Sequence, residues 1–361
     1  MFYRLKKELI WKHYHRHKED DFRHPSLNPM VDVVNFLEKS CLAEIKIEKP
    51  SESQKMHQFY GLPVDPRLCN RADTILSTFR KKPSLGFPEI FEIDSELEAA
   101  YRFFSNPRIN FDMLLDAHLR EVRGVIDSDV VLSLEDTTYM IFDGNIERMG
   151  LGRINNNNRG FLGHFALLAS ADGKRRPYGV GAAELWVRPE KTKKKSDSNA
   201  RRRDEDRESL RWQRVASKVE HEFENGPDVI HVQDREGDIY QSIAWMCKNG
   251  HRFVTRCLQD RRIVKNDNGD NYLFEALDGL GVLGTYIVDV SARPGSKLPD
   301  QRKTHPPRKA RKATVSVTST SVTVRAPVGA PKDWAKTIQL NLVHVFEPCP
   351  PSGEEPLPTN S

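Results

Sequence analysis

Asp136 in LEDTT and Asp234 in VQDREGD are the residues whose type and setting could do chemistry. Each follows an apolar run, VVLSLE or DVIHVQ, and each reads as the carboxylate on which a buried strand ends. In a mixed sheet two such ends can converge on one edge, however far apart they are in sequence. Two aspartates bridging divalent metals make a phosphoryl-transfer site, in which the metals activate an attacking oxygen and stabilise the leaving one. Mg²⁺ favours such hard oxygen ligands, and a third carboxylate usually completes the set. The same text also suits helix caps and surface ion pairs, so the pattern alone leaves both readings open.

The positive charge comes in clusters. RPEKTKKKSDSNARRR and ARPGSKLPDQRKTHPPRKARK are long, interrupt a structured chain, and are dominated by Lys and Arg. Solvated loops would look the same, but a nucleic-acid backbone is the partner such runs suit, through salt-sensitive phosphate contacts. Trp186, Trp212, Trp245 and Trp334 read as core or interface residues, and among them only Trp334, beside lysines, is also a candidate for stacking on a displaced base. The alternation His13, His15, His17 does not make a metal site, because alternate residues do not share a helix face.

The elements that must position these residues follow from pattern. DPRLCNRADTILSTFRKK, DSELEAAYRFFSN with Asp94 or Ser95 as its cap, and NFDMLLDAHLREV with Asn110 or Asp112 near its start read as helices. Beyond Ile126 the text turns to strands. DSDVVLSLEDTTYM ends at Glu135-Asp136, and GHFALLASADGKRRPYGVGAAELWVRP is a hairpin turning at Asp172-Gly173. A helix over DEDRESLRWQRVASKVEHEFE, the strand DVIHVQ, the helix IYQSIAWMCKNG with Asn249-Gly250 as its C-cap signal, and the strand HRFVTRC follow. GTYIVDVSA, KATVSVTSTSVTVRAP and KTIQLNLVHVFE alternate with period two and predict antiparallel strands. EPCPPSGEEPLPTNS has the composition of a disordered end. The order predicts an α/β (α+β) layer fold.

Composition bounds the class. The chain has 361 residues, enough for one large core or two smaller ones, and a net charge of +5. Five scattered cysteines with no CxxC pair exclude a disulfide framework or zinc knuckle and point to a reducing cytoplasm. No run approaches the length of a membrane span.

The pieces together resemble the bacterial DDE transposases of the Tn-five-like, IS-four group. The resemblance runs in order from about Asp65 to Leu357. It rests on Asp65-Pro66-Arg67, Ala100-Tyr101-Arg102-Phe103 with Asn106-Pro107, Glu135-Asp136-Thr137-Thr138, Leu151-Gly152 with Arg159-Gly160, and Glu208-Ser209 before Trp212. It continues through Asp234-Arg235-Glu236 with Asp238-Ile239, Arg252-Phe253-Val254 with Arg256, and Arg308-Lys309-Ala310.

The resemblance implies a ribonuclease-H-like mixed sheet interrupted by a β-rich insertion and preceded by a small helical domain. On that basis residues 1–62 are a basic extension, 63–124 a helical DNA-end-binding domain, and 125–260 the first part of the catalytic core. Residues 261–347 are the insertion and 348–361 a disordered tail. It implies cut-and-paste transposition by two-metal phosphoryl transfer at transposon ends. Asp136 and Asp234 would be the first two acids, holding two Mg²⁺ ions. Arg102, Arg235, Arg256, Arg308 and Lys309 are candidate DNA contacts, a homodimer or synaptic complex is expected of the family, and the setting is a bacterial cytoplasm near the nucleoid.

The family's third acid lies on a Tyr-x-x-Arg-x-x-Glu-x-x-x-x-x-x-Lys helix that has no counterpart before Ser361, and Glu347, Glu354 and Glu355 do not replace it. The expectation is therefore a truncated, catalytically impaired transposase. The alternatives are a non-catalytic DNA-binding remnant or repressor, and an unrelated metal-dependent nuclease, against which the long β-rich segment speaks.

Overall fold

A computed structural model of the chain describes residues 64–142, 150–155, 158–174, 176–189, 203–265, 269, 271–294, 307–352 and 357. Segment 1–62 with its three alternating histidines, residues 190–202 of the first basic run, residues 295–306 of the second, and Glu354 and Glu355 lie outside the described residues. So does most of the segment 348–361. The described residues fall into two compact units. One lies within Met1–Thr192 and Ser217–Asp228, the other within Lys193–Ala216 and Val229–Ser361.

The first unit begins with helices, three at the predicted places and one short helix over Phe87–Ile90 that the sequence did not suggest. Helix α1 (Pro66–Lys81) starts where Asp65 accepts the Arg67 N–H at 2.8 Å. Pro66 follows that cap, where it has no helical hydrogen bond to lose. Cys69, Ala72, Ile75, Leu76 and Phe79 recur at helical spacing and are buried. The short helix α2 (Phe87–Ile90) is closed by the Glu89 carboxylate, which accepts the Gly86 N–H at 3.0 Å. Helix α3 (Asp94–Phe104) is entered differently from the expectation: its cap is Ile93, not Asp94 or Ser95. Ile93 is extended and its carbonyl accepts the Glu96 and Leu97 N–H groups. Asp94 and Glu96 therefore lie inside the first turn, where they face the positive end of the helix dipole. Helix α4 (Phe111–Val125) is capped by Asn110, which accepts the Met113 N–H at 2.9 Å. Phe87 is the hub of the helical core, its ring 5.2–5.8 Å from those of Phe79, Phe91, Tyr101 and Phe104.

Strands β1 (Val130–Phe142), β2 (Gly152–Arg153), β3 (Arg159–Ser170) and β4 (Pro177–Trp186) complete this unit. Strand β3 pairs antiparallel with each of the other three. Strand β1 does not end at Glu135-Asp136 as its sequence suggested. Its register with β3 is unbroken from Val131↔Ser170 to Phe142↔Arg159, with Asp136 opposite Phe165. Thr137, Thr138, Tyr139 and Ile141 are the β-branched and aromatic residues that a pleated ladder favours, and they carry the pairing past the acidic pair. The β3–β4 hairpin turns where predicted, with Asp172 accepting the Lys174 N–H at 3.0 Å. Helix α4 lies against β4. His118 Nε2 accepts the Val180 N–H at 3.0 Å, and Gly179 (φ 144°) admits the helix so closely that a Cβ would sit 2.5 Å from Val122 Cγ2.

A 3₁₀ turn (Glu208–Leu210) leads into helix α5 (Arg211–Glu222), whose Trp212, Val215 and Val219 are fully buried at helical spacing. The division between the units falls within this helix. In the second unit, strand β5 (Asp228–Gln233), helix α6 (Tyr240–Asn249) and strand β6 (Arg252–Thr255) form a parallel crossover, paired from Ile230↔Arg252 to Gln233↔Thr255. Gly250 ends α6 in the left-handed region, as Asn249-Gly250 predicted. Strands β7 (Gly284–Val290), β8 (Arg311–Arg325) and β9 (Thr337–Phe346) form an antiparallel sheet in that order. One core joins the two halves of this unit: Tyr240 and Ile243 from α6, Ile263 and Leu273, Val322 and Val324 from β8, and Ile338 and Leu342 from β9.

The architecture is thus mixed α/β, with antiparallel ladders, a parallel pair and helices. Among the described residues no helix is long and apolar enough to cross a membrane.

Candidate functional site

The carboxyl ends of β5 and β6 carry the densest cluster of sequence-predicted site residues. In parallel strand pairs that edge is where ligands are commonly bound, because the chain leaves the sheet there into loops. Asp234 is the first residue past β5 and is exposed. Its carboxylate accepts the Glu236 N–H at 2.8 Å and its carbonyl accepts that of Gly237, which winds Arg235–Gly237 into a 3₁₀ turn. Arg235 is exposed on that turn. Glu236 is taken by an ion pair with Arg211, whose side chain is nearly buried. Arg256 is the first residue past β6, and its N–H donates to the Gln233 carbonyl at 3.1 Å.

Burial, then the charge of Arg235, pull the Arg256 guanidinium below its ordinary pKa, while Asp234 pushes it up. Asp234, Arg235 and Arg256 therefore share one electrostatic neighbourhood.

The loop beyond Arg256 is held by a residue to which the sequence gave no role. Asp238 is 9% exposed, and one carboxylate oxygen accepts the N–H groups of both Leu258 and Gln259 at 2.8 Å. Its other oxygen pairs with Arg261 at 2.5 Å. An acid four residues past Asp234 was visible in DREGD, but its cation is on the far side of β6, and no spacing rule links the two.

The remaining predicted residues lie on other elements. Asp136, in the first unit, is exposed in mid-strand with its carboxylate accepting the Thr137 N–H at 2.8 Å. Its neighbours turn inward: Glu135 accepts the Ser133 hydroxyl at 3.3 Å, and Thr137 meets His164 Nδ1 at 2.9 Å. Arg102 is exposed on α3, 3.5 Å from Glu98 one turn earlier. Arg308 is bridged to Arg293 and donates from Nε to the Ser291 carbonyl at 3.0 Å, while Lys309 beside it is exposed. Trp334 is only partly exposed: it stacks on Tyr240 (6.2 Å, 21°), with the Arg207 guanidinium 5.8 Å from its ring centre. Its contacts are those of a packed residue rather than of a platform awaiting a base. Glu347 is salt-bridged to Arg311 and accepts the Leu357 N–H at 3.0 Å, a structural task. Among the described residues no three His, Cys, Asp or Glu side chains gather into a group that could hold a metal ion.

Residues 64–109 match the family model for transposase DNA-binding. The matched stretch takes in α1, α2 and α3, the helices packed around Phe87, and the Asp65-Pro66-Arg67 and Ala100-Tyr101-Arg102-Phe103 segments. Arg67, Lys81 and Arg108 are exposed on the matched stretch, as are the acids Asp65, Glu89, Glu92, Asp94 and Glu98. Arg71 and Arg80 are paired with Glu96 and Glu121. Among solved structures, the chain is similar to one described as "Crystal structure of the Mos1 Strand Transfer Complex". The identity is 12%, over 70% of this chain and 73% of that one, at a TM-score of 0.19, too low to bear on the fold.

Proposed function

We propose that the chain is a DNA transposase of the DDE type. Its helices at 63–124 would bind transposon ends, its ribonuclease-H-like core would begin at 125–260, and residues 261–347 would form a β-rich insertion. The observation that carries this reading is the transposase DNA-binding match over 64–109, on helices that fold around a core of their own. Asp136 and Asp234 are the acids we assign to the reaction. The donor chemistry fits Mg²⁺: both are exposed carboxylates, and each is directed by a backbone N–H on its Oδ1. When bound, Mg²⁺ would supply charge stabilisation at the phosphodiester and lower the pKa of an attacking oxygen. Arg235 and Arg256 would hold the strand beside Asp234 by its phosphates, as Arg102, Arg308 and Lys309 would elsewhere.

Selection from a random duplex library tests the reading. The chain should enrich one sequence, with affinity falling steeply as salt rises. Asp136→Asn and Asp234→Asn should keep that binding but lose Mg²⁺ uptake measured by titration calorimetry. Equal affinity for every duplex would refute recognition of ends, and unchanged Mg²⁺ uptake in both variants would refute the assignment of the acids.

A further inference from the structure

A recess of about 280 Å³ opens in the second unit, lined by Arg207, Ser209, Asp238, Gln241, Gln259, Arg261 and Trp334, among others. That is small for a site that encloses a ligand, which typically needs roughly 300–1,000 Å³ of largely apolar cavity. Its chemistry is instead that of a surface which meets an anion. Two of its side chains are cationic and one is anionic. That one, Asp238, has both oxygens engaged by Leu258, Gln259 and Arg261.

Arg207 is held rather than mobile. It donates to Gln241 Oε1 at 2.5 Å, and its guanidinium lies against the Trp334 ring, which Tyr240 stacks in turn. A guanidinium fixed in this way loses little entropy on meeting an oxyanion. The Ser209 hydroxyl and the Gln259 amide supply neutral donors on the same rim.

We propose that this recess seats one phosphate group of a DNA backbone, with Arg207 as its principal donor and the Trp334–Tyr240 stack as the brace that orients it. The proposal rests on the reading of the chain as a DNA-binding protein, and its principal donor, Arg207, is none of the candidate DNA contacts named from the sequence. A phosphate contact of this kind positions the duplex and carries no sequence information.

The test uses the full chain and a short duplex of arbitrary sequence. Binding is measured across a salt series for the parent, Arg207→Gln, Gln259→Glu and, as a charge control outside the recess, Lys332→Gln. Circular dichroism establishes that each variant is folded. Arg207→Gln should reduce the slope of log affinity against log salt by about 0.9, the loss of one phosphate contact. Gln259→Glu alters an exposed side chain and should weaken binding by setting a negative charge at the seat. Lys332→Gln should leave the slope as it was. Parental slopes in both recess variants, or an equal slope loss in Lys332→Gln, would overturn the seat while leaving DNA binding intact. Failure of the parent chain to bind any duplex at low salt would overturn both this inference and the proposed function.

Discussion

Replacing Asp238 by alanine should destabilise the second unit by about 3–5 kcal/mol, the usual result of stranding one partner of a buried ion pair. The geometry supports that range. The Asp238 side chain is 3% exposed and that of Arg261 15%, so the cation left behind cannot recover full hydration in place. The Leu258 and Gln259 N–H groups lose their acceptor in the same step, each worth about 1–3 kcal/mol if it stays dry. These losses share one site and do not add, which is why the pair sets the range.

Urea unfolding followed through the midpoint at constant slope gives the magnitude. Hydrogen exchange at the Leu258 and Gln259 amides gives the location, and it should quicken there first. The decisive arm is Asp238→Ala combined with Arg261→Met. Removing the stranded cation should restore part of the loss, because an apolar side chain of similar length tolerates the site that a lone charge does not. A loss below about 1 kcal/mol, or a double variant no more stable than the single one, would refute the claim that this pair anchors the loop.

Other parts of the fold should respond in ways that can be measured. Burial holds the His118 imidazole below its ordinary pKa of 6.5, opposed by Glu121 and aided by Arg80. The folded state therefore binds fewer protons than the unfolded one, and stability should fall as pH drops through about 6.5. A melting series in acid should show this decline, and His118→Gln should lack it. Gly179→Ala should cost about 1–3 kcal/mol in urea unfolding, from a strained φ and the clash with Val122. Arg311 holds the Glu347 carboxyl below its ordinary value of 4.5. The stability this adds is present above pH 4.5 and is lost as pH falls through the depressed value, so acid titration of Glu347→Gln should show a flatter decline than the parent.

Much of the fold is legible in the text because the physics that makes it is local. Asp65 before Pro66, Asn110 before an amphipathic run, Asp172-Gly173 between two apolar runs and Gly250 after α6 each satisfy backbone groups within a few residues. Each element formed where it was expected. Trp186, Trp212 and Trp245 read as core or interface residues; Trp212 is fully buried and Trp186 and Trp245 are partly buried. The partners of Trp334, Arg207 and Tyr240, come from distant segments that no local pattern links to it.

By itself, then, the sequence determined three of the helices, the hairpin and the strand–helix–strand order around α6. It did so through periodicity and capping, which act within one or two turns of chain. Only the tertiary structure decided that Asp136 lies mid-strand, since a strand ends where its neighbour stops pairing, and β3 continues to Arg159. Likewise, only folding gave Asp238 its cation and Arg207 its brace. A buried charge takes whichever partner the packed chain brings within reach, and sequence distance does not measure that.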